Sequence, residues 1–105
     1  MHIISSKPLR EFSAKHPQAK APLDAWFAEA GKAKWNQFAD IKRTYRSADV
    51  VEDNRVIFDI GGNKYRMVVK IAYRMEKVFI LFIGTHAEYD KIDVKTIRYS
   101  GSKKP

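Results

Sequence analysis

Between Arg55 and Gly84 the residues alternate in a way that commits the chain to a twisted antiparallel sheet. From Lys64 onward, Tyr65, Met67, Val69, Ile71 and Tyr73 point one way, and Lys64, Arg66, Val68, Lys70, Ala72 and Arg74 the other. Side chains on a strand alternate with period two, so this pattern gives one face to a core and one to solvent. Val56, Phe58 and Ile60 alternate with Arg55, Ile57 and Asp59 in the same manner. Gly61-Gly62-Asn63, between the two runs, is rich in residues that tolerate positive φ, as a hairpin connection needs. It is not a phosphate loop, because the Walker residues are missing and a strand follows. Val78 to Ile83 is apolar on both faces, which puts it at the sheet's centre or beneath further cover.

The residues before Arg55 read as cover for one face. Met1-His-Ile-Ile-Ser5 is a brief first strand. Ser5 or Ser6 caps a helix with Pro8 in its first turn. Leu9 and Phe12 form its apolar stripe, Lys7, Arg10, Glu11 and Lys15 face solvent, and Pro17 stops it. A second helix begins near Ala21-Pro22. Its Leu23, Trp26, Phe27 and Ala30 share one side at helical spacing, so these aromatics are core rather than a ligand box, and Gly31 suits its C-terminal cap. Trp35 and Phe38 continue the cover, and Ile41 and Tyr45 extend it across a short helix. Turn-type residues at Ser47-Ala-Asp49 and Glu52-Asp-Asn54 bracket Val50-Val51. The fold class is α+β, two N-terminal helices packed on a twisted, mainly antiparallel sheet.

A chain of 105 residues is most simply one domain, 1–105, and a domain of that size buries roughly two-thirds of its unfolded surface. No apolar run approaches the ~20 residues of a membrane span, and the N-terminus lacks a signal-peptide core. With no cysteine, disulfides and thiolate metal sites are excluded, and the cytoplasm is the natural compartment. His2, His16 and His86 lack metal-ligand spacing, which argues against a zinc site. The net charge of +8 favours a polyanionic partner, nucleic acid or acidic protein, over a charge kept for solubility alone. Lys64, Arg66, Lys70 and Arg74 form a basic ladder with no acidic partners along their own strand, which favours anion binding over passive solvation. Arg55 and the basic connection of Lys32, Lys34, Lys42, Arg43 and Arg46 belong near it, as a functional lip or a solvated loop. Residues 98–105 form a basic tail, either an RNA-contacting arm or disordered.

The last strand ends in Thr85-His86-Ala-Glu88-Tyr89-Asp90-Lys91. His86 is the one histidine placed to do acid–base chemistry, since His2 and His16 flank element ends, and in a helical turn Tyr89 shares its face. Beside a basic surface such a pair suits RNA cleavage. A base removes the 2′-hydroxyl proton, cations stabilise the phosphorane, an acid protonates the leaving oxygen, and no metal is required. Spacing alone favours the plainer alternative, in which Thr85 and Asp90 cap a turn, Tyr89 packs, and His86 bonds to backbone.

Phe58-Asp-Ile-Gly-Gly-Asn-Lys-Tyr-Arg66 together with Phe82-Ile-Gly-Thr-His-Ala-Glu-Tyr-Asp-Lys91 closely resembles the HigB toxin family of bacterial type II toxin–antitoxin systems, and the similarity spans nearly the whole chain. The resemblance implies a RelE-like fold and an mRNA interferase that cuts messages on the ribosome by 2′-hydroxyl attack, with no metal and no organic cofactor. It implies as partners a helix-turn-helix HigA antitoxin and, only through that complex, operator DNA; no membrane is implied. By position it makes Lys64 and Arg66 ligands of the phosphate and transition state; the basic ladder and connection add Lys70, Arg55 and Arg43 as further RNA contacts. His86 and Tyr89 become acid–base candidates, Asp90 orients one of them, Lys91 contacts RNA backbone, and Asn63 and Thr85 support the two turns. Asp59 stands where relatives often have asparagine. The competing functions are a non-catalytic RNA- or ribosome-binding module and, ranked last because no helix-turn-helix pattern is present, a DNA-binding regulator.

Overall fold

The computed structural model describes residues 1–97, so the basic tail of 98–105 falls outside the described residues. The strands are β1 (His2–Ile4), β2 (Asp49–Val51), β3 (Arg55–Ile60), β4 (Tyr65–Ala72) and β5 (Lys77–Thr85). The helices are α1 (Lys7–Lys15), α2 (Lys20–Lys32), α3 (Phe38–Thr44) and the single turn α4 (His86–Tyr89), with a 3-10 turn at Pro17–Ala19. The sheet runs β1-β5-β4-β3-β2. All neighbours are antiparallel except β1, which lies parallel to β5. β5 is therefore flanked by a strand on both sides, as its unbroken apolar run requires.

The β3–β4 hairpin turns on Gly61 and Gly62, whose φ values of +64° and +71° lie in the left-handed region. A side chain there is strained, and glycine removes that cost. Ile60 pairs with Tyr65, so residues 61–64 make the connection, and Asp59 sits directly across from Arg66.

The first sheet face carries the main core. Tyr65, Met67, Val69 and Ile71 from β4, Val56, Phe58 and Ile60 from β3, and Val78 and Ile80 from β5 meet the helical layer. α1 contributes Leu9 and Phe12, α2 contributes Leu23, Trp26 and Ala30, and α3 contributes Ile41. Trp26 and Trp35 both contact the Phe58 ring, at 5.5 and 6.2 Å between centroids. Each such buried side chain contributes about 1.5–3 kcal/mol from the area it removes from water.

Three helix details differ from the pattern-based expectation. Ser6 occupies the N-cap of α1, but its hydroxyl accepts from Arg10 Nη1 at 2.8 Å instead of capping a backbone N–H. α2 starts at Lys20, one residue before Ala21-Pro22 as expected, and the 3-10 turn at Pro17 feeds directly into it. Phe27 is 41% exposed and lines a shallow groove between α1 and α2 with Leu9 and Ala14. Gly31 lies inside α2, which ends at an extended Ala33. There the α-amino group of Met1 donates to the carbonyls of Ala30, Gly31 and Ala33, satisfying orphan acceptors with a positive charge at the negative helix end.

The second face is not simply solvated. Ile57, Val68 and Leu81 are buried there, covered by Tyr89, Ile92, Val94 and Ile97 from the segment after β5. A bulge makes this possible. Val69 pairs with Ile80 and Val68 with Phe82, so Leu81 is an extra residue in β5. Strict alternation from Val78 and Ile80 would send Phe82 and Gly84 toward the main core. The bulge reverses the phase, so Leu81 and Phe82 pack on the second face and Ile83 returns to the first.

Candidate active site

The phase shift at Leu81 brings Gly84 of β5 opposite Arg66 of β4. Immediately beyond it the chain turns back as α4. Thr85 starts this turn with a reciprocal cap. Its Oγ1 accepts from Glu88 N–H at 3.2 Å, and Glu88 Oε1 accepts from Thr85 N–H at 2.8 Å. This pairing satisfies two otherwise orphan donors and fixes the direction of the turn. A one-turn helix has little stability of its own, so the cap and the contact with the sheet hold it.

The turn lays the Tyr89 ring against Arg66, with the guanidinium carbon 5.1 Å from the ring centroid. A cation in that position is attracted by the ring's negative face. Phe82, 6.4 Å away between centroids, supports the ring from β5. From β3, Asp59 Oδ1 approaches Arg66 Nε at 2.7 Å, although the N–H is not aligned on that oxygen as in a hydrogen bond. Arg66 is thus held by a carboxylate and an aromatic face while its two terminal nitrogens bond to none of the described residues. A guanidinium presented this way offers a planar fork to a phosphate.

The glycine is a steric necessity. A Cβ at position 84 would sit 2.5 Å from Phe82 Cζ, 2.9 Å from Glu88 Oε1 and 3.1 Å from Glu88 Cβ. The Gly84→Ala protein is expected to lose about 1–3 kcal/mol, as overpacking typically costs. The Phe82 ring and α4 must move together to admit the methyl group. Thermal unfolding measures the loss.

The structure gathers some of the expected site residues and separates others. Arg66, Tyr89 and Thr85 come together. His86 opens α4, and its Nε2 is buried with no hydrogen-bond partner among the described residues. Asp90 and Lys91 are exposed just past the turn. Lys64 and Asn63 are exposed in the hairpin connection, where Lys64 Nζ is 3.5 Å from Gln18 Oε1. Lys70 is paired with Asp53 at 3.0 Å, and that lysine is the main reason the Asp53 carboxyl titrates below the usual aspartate value. The basic ladder therefore does have acidic partners, supplied by β3 and the turn before it. Arg43 pairs with Asp40 at 2.6 Å on α3, on the helical side of the sheet. Arg55 is only 8% exposed; its Nη1 donates to the carbonyls of Val94, at 3.0 Å, and Ile97. It points into the protein instead of joining an open anion surface.

Sequence reasoning missed Asp59 and Phe82 as members of this cluster. A count of the hairpin places Asp59; for Phe82 no sequence signal exists, since only the bulge turns it to this face.

Three helices on one face of a mainly antiparallel sheet, with an arginine–tyrosine cluster on the other, define an α+β fold of the RelE-like type. Residues 19–92 match the family described as HigB toxin, RelE-like toxic component of a toxin-antitoxin system. The mRNA interferase toxin HigB of Escherichia coli (strain K12) is 32% identical over 92 residues, which cover 86% of this chain and 88% of that protein. The mRNA interferase HigB of Shigella flexneri shows the same identity and coverage. A further mRNA interferase HigB, from Escherichia coli O6:H1, is 27% identical over 94 residues, or 88% of this chain and 91% of its own length. The chain belongs to the HigB toxin family. Among the described residues, no helix is long and apolar enough to cross a membrane.

Proposed function

We propose that this protein is an mRNA interferase, the toxin of a toxin–antitoxin pair, and that it cuts messages on the ribosome at the Arg66–Tyr89 surface. The observation that carries the reading is the Arg66 guanidinium stacked on Tyr89 with its terminal nitrogens free among the described residues. The names of the relatives supply the substrate class, mRNA.

In the reaction the 2′-hydroxyl loses its proton and its oxygen attacks the adjacent phosphorus. The bond to the 5′ oxygen breaks, and that oxygen takes up a proton. The products are a 2′,3′-cyclic phosphate and a 5′-hydroxyl end. Arg66 stabilises the charge that builds on the phosphoryl oxygens. Tyr89, whose hydroxyl has no hydrogen-bond partner among the described residues, transfers one proton, and His86 serves the other step once its ring turns out of its buried position. Lys64 and Lys91, both exposed, and Lys70, once released from Asp53, contact flanking phosphates. Asp90 orients one of the proton-transfer groups. A HigA-type antitoxin neutralises the toxin, and the complex reaches operator DNA through that antitoxin.

One observation favours a non-catalytic binder instead, namely that His86 Nε2 is shut away from solvent. Mapping message 5′ ends after induced expression separates the two. The nuclease creates new ends carrying 5′-hydroxyls, and the His86→Ala, Tyr89→Phe double variant does not. A binder arrests translation with no new ends, and that result would overturn the enzymatic reading.

A further inference from the structure

The enclosure of Arg55 leads to a role different from phosphate binding. Its side chain spans 39 and 42 residues of sequence to reach the Val94 and Ile97 carbonyls. Those two residues, with Ile92, lie over Ile57, Val68 and Leu81. Tyr89 belongs to the same apolar cluster, and its carbonyl accepts from Ile92 N–H at 3.2 Å. Further along, Thr96 and Ile97 N–H groups both bond to the Asp93 carbonyl, so the segment folds back compactly where Arg55 grips it.

We propose that Arg55 is a positioning residue for Tyr89, acting through the segment from Asp90 to Ile97. This rests on the reading of Arg66 and Tyr89 as the catalytic surface. α4 is one turn long and cannot hold its own orientation. Its first end is fixed by the Thr85–Glu88 cap, and its second end continues into this segment. The segment carries few apolar residues and polar ones between them, so its packing alone is modest. A buried guanidinium is costly without acceptors, so Arg55 favours the state in which the segment lies across the sheet and supplies two carbonyls. Both bonds come from the far end of the side chain, Nη1, and a lysine, a point charge on a shorter stem, does not place its nitrogen there. Arg55 therefore sets how often Tyr89 is seated over Arg66.

The test compares the wild-type full chain with Arg55→Met, which keeps apolar bulk, and Arg55→Lys, which keeps the charge. Amide exchange at Thr96 and Ile97 reads the segment, the NMR contact between the Tyr89 ring and Arg66 reads the seating, and ribosome-dependent cleavage gives kcat and KM. In Arg55→Met, exchange at both amides should rise about ten-fold or more, as expected for a locally opened segment. The ring contact should weaken, and kcat should fall about ten- to a hundred-fold with KM within about two-fold, as for a small misplacement of a catalytic group. Arg55→Lys should restore little. A rise in KM alone that Arg55→Lys reverses would make Arg55 an RNA contact and overturn the proposal. So would faster exchange with the ring contact and kcat unchanged. If the wild type itself cuts no RNA, the nuclease reading fails, and the exchange and ring-contact measurements still decide whether Arg55 seats Tyr89.

Discussion

Arg66→Lys is expected to leave the protein folded and to lower message cleavage by about 10²–10³-fold, the range seen when one preorganised donor to a developing oxyanion is removed. The substitution conserves charge, so the loss isolates geometry. At 4 Å and an effective dielectric constant of about 20, a unit charge on phosphate is worth roughly 4 kcal/mol, and lysine keeps much of that attraction. What it cannot keep is the planar fork and the stacking on the Tyr89 ring. Asp59 sharpens the distinction. Its carboxylate, 2.7 Å from Arg66 Nε, can hold a guanidinium by one edge and leave the other edge for phosphate, whereas an ammonium drawn to Asp59 has a single charged centre to share. The decisive comparison is single-turnover cleavage by Arg66→Lys and Arg66→Met beside thermal unfolding. Lysine should resemble methionine more than arginine. A lysine variant within about two-fold of wild type would reduce Arg66 to a general source of positive charge.

The difference between Arg66 and its expected neighbours marks what the sequence makes legible. Period two on β4 put Arg66, Lys70 and Val68 on one face, and that assignment holds because it depends only on local backbone geometry. The partners across the sheet do not. Starting the strand at Lys64 shifts the pairing by one residue and hides Asp59, which the four-residue connection sets against Arg66. The helical stripe of α2 was legible for Leu23, Trp26 and Ala30. It failed for Phe27, which lines the open groove between α1 and α2 instead of the core. Leu81 is invisible as a bulge, since every residue from Val78 to Ile83 is apolar and no break in alternation can show. The cover formed by Ile92, Val94 and Ile97 is hidden for the opposite reason, its apolar residues being too sparse to read as an element. That omission is why Arg55, a charged residue at the start of a strand, looked like surface. The Thr85–Glu88 cap and the packing of Tyr89 agree with the plainer reading of the cluster, whereas the backbone bond that reading gives His86 is absent at Nε2 among the described residues.

Tyr89→Phe separates the packing of the ring from proton transfer by its hydroxyl. Phenylalanine keeps the ring over Arg66 and against Phe82 and removes only the hydroxyl, so its effect is almost purely that of a lost proton. Cleavage should fall by about 10²–10⁴-fold, the usual contribution of a positioned acid or base, with KM near wild type. Tyr89→Ala should be worse, because it also strips the platform from Arg66 and exposes Ile57, Val68 and Leu81. His86→Phe supplies the counterweight. Its buried Nε2 has no partner among the described residues, and such an atom costs the folded state about 1–3 kcal/mol. An apolar ring of similar size should therefore raise the melting temperature while lowering cleavage. Stabilisation with activity retained would make His86 structural and leave both proton transfers to Tyr89 and solvent. A nearly active Tyr89→Phe beside an inactive His86→Phe would reverse the assignment: Tyr89 would then be the aromatic seat of the arginine, and the histidine would have to leave its buried position to carry the proton. Nothing about the cation on the ring would change between those outcomes, so only the hydroxyl can decide between them.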